Sequence, residues 1–272
     1  MFRLLFTALL LVAAQPALSA DFVEIKQRGT IRVGIAPLSP FVIKAPDGTF
    51  SGFEIDSTTA LGEKLGVDVE YIEKPFCELA ESVLSGEVDM IASGFSNTQD
   101  RRRLMDFSLP YHDTEYFVIV NRKTSKAAKT LRGLNSKDVA IGYQYGGVSG
   151  MVAQGEFPGA DLKGFSSFTG ILDALERGSI DGAVLFAPYT DMARDMKEFK
   201  YRIPHDFALV RTIEAFATDK QSDELHDVLN SWVIEQDIAG YWDALEEKWF
   251  SSDHPVQSAP PAGVCAIASP AG

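Results

Sequence analysis

Short apolar runs alternate along this chain with segments in which apolar residues recur every three or four positions. The first kind of pattern predicts β-strands and the second amphipathic helices. Strands are expected over residues 30–35, 67–72, 88–93 and 116–120, and again over 139–143 and 180–186. Helices are expected over 57–64, 78–85, 170–177, 222–234 and 239–248, with one more starting near Ser149. Gly66 and Gly86 stand where the first two helices should stop. Asp47-Gly48 predicts a hairpin turn. A polar, basic stretch at 123–137 divides the pattern, and the alternation restarts after it. Strand–helix alternation of this kind predicts the α/β class.

One phrase of the pattern occurs twice. Val83-Leu84-Ser85-Gly86-Glu87-Val88-Asp89 and Leu175-Glu176-Arg177-Gly178-Ser179-Ile180-Asp181 both read apolar-x-x-Gly-x-β-branched-Asp. Each predicts a helix end, a glycine stop and an apolar strand. Gly94 lies five residues past Asp89, and Phe186 five past Asp181. If the two halves are similar lobes, these are matching strand ends. Ligands of open α/β sheets bind beyond the carboxyl ends of strands, so Gly94 and Phe186 are expected to face one cleft from opposite sides.

Composition narrows the partners. Residues 1–20 carry Arg3, an apolar run too short to span a bilayer, and small residues at Ala17-Leu18-Ser19-Ala20, which is the pattern of a secretory signal. The formal charge is −13 and becomes −14 once Arg3 is removed. That acidity argues against nucleic acid and anionic membrane surfaces as partners. The remaining roughly 250 residues suffice for one large domain or two of ordinary size. Residues 251–272 hold Pro255, Pro260, Pro261 and Pro270 among small residues and are expected to be a disordered tail. The cysteines, Cys77 and Cys265, either pair in an oxidising compartment and staple the tail back, or remain free thiols. His112, His205, His226 and His254 are scattered, so no metal site and no cofactor are expected. Gly147-Val148-Ser149-Gly150 lacks the spacing of a nucleophile elbow.

The candidate chemistry lies at Gly94-x-Ser96-x₄-Arg101, followed by Asp106-Phe107-Ser108-Leu109-Pro110-Tyr111. It sets an arginine just past a strand end, beside an exposed backbone and a hydroxyl. A guanidinium forks onto a carboxylate and stays charged at any working pH. The competing reading is a surface arginine in a basic run, because Arg102 and Arg103 follow.

With these motifs the chain resembles the extracytoplasmic solute-binding proteins of ABC importers, in the polar amino-acid receptor group. The resemblance runs from about Thr30 to Phe250. It rests on Arg32-Val33-Gly34-Ile35 with Ser39-Pro40-Phe41, on Gly52-Phe53-Glu54-Ile55-Asp56 after Asp47-Gly48, on Leu84-x-Gly86-x-Val88-Asp89-Met90-Ile91, on the Arg101 to Tyr111 block, and on the closing Gly240 to Lys248-Trp249-Phe250. It implies a type II periplasmic-binding-protein fold, with two α/β lobes joined by two hinge crossings. Lobe one would be 21–118 plus 213–250 and lobe two 119–212. The crossings would fall near Val118-Ile119-Val120 and Val210-Arg211-Thr212. The implied protein is a periplasmic, monomeric receptor that closes on a small carboxylate-bearing solute and delivers it to an inner-membrane ABC permease. The alternatives are a ligand-sensing periplasmic partner of a signalling protein and, behind it, an exported enzyme such as a dehydratase.

The resemblance implies that Arg101 holds the ligand carboxylate with help from Gly94 and Ser96. Lobe two would add backbone N–H groups at Gly147, Val148 and Ser149, where the family's usual threonine is absent. Phe76 and Phe41 or Leu38 would pack the ligand. Phe186 departs from the family pattern, because many members carry an aspartate there for the ligand ammonium. Either another acid, such as Asp191 or Glu54, replaces it, or the ligand has no α-ammonium. The second reading is the more natural at this point and suggests an organic acid, a modified amino acid or an opine-like compound. A further alternative is a quaternary or aromatic cation held by Phe186, Tyr143, Tyr145 and Tyr189.

Overall fold

The computed structural model describes residues 22–121, 130–187 and 201–250, together with Cys265. The expected signal sequence, the expected disordered tail apart from Cys265, and the candidates Tyr189 and Asp191 lie outside them.

The first lobe begins with α1 (Phe22–Arg28) and β1 (Thr30–Ile35), then the hairpin β2 (Ile43–Lys44) and β3 (Phe50–Ser51) around Asp47-Gly48. It continues through α2 (Phe53–Leu65), β4 (Asp68–Glu73), a 3₁₀ turn at Phe76–Glu78, α3 (Leu79–Leu84), β5 (Met90–Ile91), α4 (Gln99–Arg102) and β6 (Met105–Phe107). The long β7 (His112–Asn121) leads to the second lobe: α5 (Leu131–Leu134), β8 (Ala140–Gln144), α6 (Val148–Glu156), β9 (Asp161–Phe165), α7 (Phe168–Glu176), β10 (Gly182–Phe186) and β11 (Tyr201–Arg202). The chain returns through β12 (Val210–Glu214) to β13 (Ala217–Asp219), α8 (Asp223–Ile238) and α9 (Tyr241–Phe250).

Two mixed sheets result. The first runs β4-β1-β5-β13-β6, and the second runs β11-β7-β10-β8-β9, with β12 also paired to β7. Parallel pairing of β1 with β4 and β5, and of β8 with β9 and β10, is what strand–helix alternation demands. The β10 residues are all buried, as expected of a strand covered on both faces. On α8 the buried residues Leu225, Leu229, Trp232 and Val233 form one stripe at helical spacing, which docks it on the first lobe.

The repeated phrase folds the same way twice. Gly86 and Gly178 both adopt φ 72°, the left-handed conformation that ends a helix at low cost to glycine. Asp89 donates its N–H to Arg32 O (2.9 Å) and accepts the Arg32 N–H on its carboxylate (2.7 Å). Asp181 does the same with Ala140, at 2.8 and 2.9 Å. In each lobe the aspartate clamps the start of the new strand to its neighbour.

Along its length β7 changes partner. Its first half pairs with β12, from His112↔Glu214 to Tyr116↔Val210. Its second half pairs with β10, with Val118↔Val184, Ile119↔Ala183 and Val120↔Gly182. Val118-Ile119-Val120, where the sequence suggests a crossing, pairs with β10 inside the second sheet, and the half of β7 before it pairs with β12. An apolar triplet looks the same in a crossing as in a sheet; only its partner strand distinguishes them.

Cys77 and Cys265 are joined in a disulfide across 188 residues of chain. Of the two readings of the cysteines, the bridge is the one found.

Candidate functional site

Arg101 sits in the single turn α4, whose N-cap Thr98 accepts the Arg101 N–H through its hydroxyl (3.3 Å). Its guanidinium reaches away from that turn into the space between the lobes. Nη1 donates to the carbonyl of Ser96 at 2.8 Å, and Nη2 to the carbonyl of Gly146 in lobe two at 2.9 Å. Its flat face lies 3.6 Å from the ring centre of Phe95, and Phe76 stands 5.7 Å away. Burial lowers its pKa to about 10, while Tyr116 and Glu214 pull the other way. Among the described residues no carboxylate lies within ion-pair distance of it. Two of the five N–H donors of this half-buried cation face neutral carbonyls, which leaves donors for an anion.

Gly94 and Phe186, the matching strand ends, both meet Phe41. Gly94 holds φ 57°, and a Cβ on it would lie 2.6 Å from the Phe41 ring. Its N–H donates to Glu54 Oε1 at 2.7 Å. The Phe186 ring centre is 6.0 Å from that of Phe41, 5.2 Å from Phe168 and 6.2 Å from Tyr116. Phe41 is buried among Phe53, His112 and Phe250 of lobe one, so it belongs as much to the core as to the cleft. Leu38 is buried beside it in a backbone bridge with Val42. Phe41 with Phe186 and Arg101 with Gly146 hold the two lobes together in a closed arrangement. Gly146 (φ 71°) adds to this, since a Cβ there would lie 2.7 Å from Cys77 Cα.

On lobe two, Gly147 is the N-cap of α6, and Val148 and Ser149 form its first turn. A helix start offers N–H groups without intrahelical acceptors, which suits an anion. The Ser149 hydroxyl is turned inward and accepts the Gln144 N–H at 2.9 Å, so it braces the turn. The Ser96 hydroxyl is also engaged: it donates to Glu214 Oε1 at 3.0 Å.

Glu54 is fully buried and accepts hydrogen bonds from Gly94 N and from the Tyr111 hydroxyl (2.6 Å). Burial raises its pKa to about 7. Glu214 is likewise pushed up to about 7 by burial. Sequence reasoning missed Phe95, Tyr116, Gly146 and Glu214. Phe95 lies inside the Gly94-x-Ser96 motif, and Glu214 stands two residues beyond the predicted second crossing. An acid in an otherwise apolar strand end was the available signal. Tyr143 and Tyr145 pack on each other at 5.7 Å between ring centres, and no ring contact joins them to Phe186 among the described residues. Among the described residues no cluster of His, Cys, Asp or Glu suits a metal ion, and no helix is long and apolar enough to cross a membrane.

Known proteins resemble this chain in sequence and in fold. A probable histidine-binding protein of Campylobacter jejuni is 28% identical over 258 residues, covering 91% of this chain and 96% of its own. The ancestral amino acid-binding protein AncCDT-1, a precursor of cyclohexadienyl dehydratase, superimposes with a TM-score of 0.76 at 29% identity, over 84% of this chain and 99% of its own. An amino acid ABC transporter substrate-binding protein of Streptococcus pneumoniae, bound to L-arginine, gives a TM-score of 0.75 at 25% identity, over 84% and 98% of the two chains. The family model for bacterial extracellular solute-binding proteins, family 3, matches residues 31–252. With its two-lobed α/β fold and its arginine reaching into the cleft, this chain belongs to that family.

Proposed function

We propose that the chain is the periplasmic substrate-binding component of an ABC importer, and that it captures a small carboxylate-bearing solute, amino-acid-like or an organic acid, between its lobes. The carrying observation is Arg101: a half-buried guanidinium that spans the cleft and, among the described residues, donates its hydrogen bonds to carbonyls and to no carboxylate. A carboxylate would complete it through paired charge-assisted bonds. Gly94, Ser96 and the α6 start at Gly147, Val148 and Ser149 border the same space, with Phe76, Phe41, Leu38 and Phe186 as its apolar walls.

Closure follows from differential contact. The open form presents Arg101 and the lobe-one wall. The bound solute recruits the Gly146–Ser149 turn and Phe186, so binding energy is spent on closing. The closed pair of lobes then presents one joint surface to the permease. Export through the signal sequence and a monomeric state complete this reading, which the amino-acid-binding names of its relatives support.

We read the cleft as a receptor rather than an enzyme. AncCDT-1 ties this fold to a dehydratase lineage, but Phe186 fills the strand end where lobe two would offer a general acid. The test is a thermal-shift screen over amino acids, keto acids, opines and quaternary amines, with product analysis of each compound that binds. Stabilisation without turnover supports a receptor, and turnover establishes the enzyme.

A further inference from the structure

Glu54 stands in the first turn of α2 with its side chain fully buried. Its Oε1 takes two donors, the Gly94 N–H at 2.7 Å and the Tyr111 hydroxyl at 2.6 Å. Its own N–H donates to the Phe41 carbonyl at 3.0 Å, beside the Phe53 N–H that donates to Pro40 at 3.1 Å. One residue thus ties together the Phe41 loop, the end of β5 and the approach to β7.

The Gly94 bond has consequences for the cleft. β5 leaves its parallel ladder after Ile91, and Ala92 still donates to Gly34 at 3.1 Å. Gly94 then turns, with φ 57°, against the Phe41 ring. Its buried N–H has left the sheet, and such a donor is costly without an acceptor. The Glu54 carboxyl supplies that acceptor from another element.

The two residues after Gly94 are the supports of Arg101. The guanidinium carbon lies 3.6 Å from the Phe95 ring centre, and the Ser96 carbonyl accepts from Nη1 at 2.8 Å. Phe95 is 1% exposed and stacks on Phe107, with 9° between the ring planes. The far end of the turn is fixed by β12: Asn97 N–H donates to the Ile213 carbonyl at 2.9 Å, and the Ser96 hydroxyl donates to Glu214. The near end is fixed by Glu54.

We propose that Glu54 is a positioning residue for the anion grip: it holds the Gly94–Ser96 turn so that Phe95 and Ser96 present the Arg101 guanidinium to the cleft. This rests on Arg101 being the group that receives the solute's carboxylate. Glutamine can accept the same two donors through its amide oxygen, and leucine cannot. Burial raises the Glu54 pKa to about 7 against the Tyr111, Gly94 and Ser57 hydrogen bonds, and Glu214 adds to the rise. The bond to Gly94 therefore strengthens as Glu54 ionises near neutral pH.

The test reads Arg101 in the full mature chain without solute, by NMR, as the Nε–Cζ correlation that disappears in Arg101→Lys. The Phe95 ring current displaces that signal from its free-arginine position. Glu54→Leu is expected to return it toward that position and to move the Gly94 amide, while lobe-two signals such as Gly164 stay in place. Glu54→Gln is expected to keep both near wild type at about pH 6. From about pH 5.5 to 8.5 the wild-type Gly94 and Arg101 signals should titrate with one midpoint, and both should be flat in Glu54→Gln. An unmoved Arg101 signal in folded Glu54→Leu overturns the proposal. If that variant does not fold, the titration decides, and Gly94 shifting without Arg101, or neither shifting, overturns it. L-arginine and L-histidine are then titrated calorimetrically, and Glu54→Leu is expected to lose at least about tenfold for a probe that the wild type binds. Full affinity in Glu54→Leu beside a loss in Arg101→Ala overturns the proposal. Full affinity in Arg101→Ala sinks the carboxylate reading instead, and the spectra alone then decide whether Glu54 places Arg101, as they do if neither probe binds.

Discussion

Arg101 in lobe one donates to the carbonyl oxygen of Gly146 in lobe two, 2.9 Å away. The bond makes closure and ligand capture parts of one event, since the cation that would grip the solute also touches the moving lobe. Lysine would keep the charge but not the planar fork. Arg101→Lys is expected to weaken binding several-fold by losing that geometry, and titration of both proteins with the same solute checks it.

Phe41 and Phe186 meet across the cleft at 6.0 Å. Phe186→Ala removes a buried ring, and the unfolding free energy is expected to fall by about 3 kcal/mol. Chemical denaturation measures that loss. Small-angle scattering should show the ligand-free variant with a larger radius of gyration than the wild type; an unchanged radius would mean that this contact does not hold the closed form.

Three buried groups set the pH response. Glu54 and Glu214 are raised from 4.5 to about 7 by burial, so the stability they lend is complete below the unfolded value and is lost as pH rises through about 7. His112 is lowered from 6.5 to about 4 by burial, so its contribution is present above 6.5 and is lost as pH falls through about 4. Between about 4.5 and 6.5 the effects oppose each other. From pH 6.5 to 8 only the two acids act, and stability is expected to fall by on the order of 1 kcal/mol. Melting curves across that interval test it, and Glu54→Gln should flatten the slope.

The disulfide closes a long loop, with Cys77 and Cys265 separated by 188 positions. In the chain-entropy limit such a link is worth roughly 5 kcal/mol. Reduction should lower the melting temperature, and Cys77→Ser should reproduce the reduced protein. A melting temperature indifferent to reductant would contradict a stabilising role for the bridge.

Much of this fold is local in the sequence, and that part reads directly. The glycine stops, the β1 run and the Gly86 and Gly178 repeat need only neighbours within a few residues, and the repeat led to Gly94 and Phe186 as opposed strand ends. The rest depends on partners far along the chain. β5 shrinks to Met90–Ile91 because its ladder is limited to Val33, Gly34 and Ala217. β7 divides its pairing between β12 and β10, and no local pattern shows which half goes where. Glu214 escapes notice because its meaning comes from Ser96, which is 118 positions away. Phe41 reads as a cleft residue or a core residue, and the structure makes it both.

The central claim is that Arg101 holds the solute's carboxylate. Titration of wild type and Arg101→Ala with the best ligand from the thermal-shift screen, alongside the carboxamide of that ligand, tests it most directly. The account predicts that Arg101→Ala loses at least about tenfold in affinity and no longer distinguishes acid from amide. Binding by a folded Arg101→Ala protein at near wild-type affinity, with the acid still preferred, would contradict it.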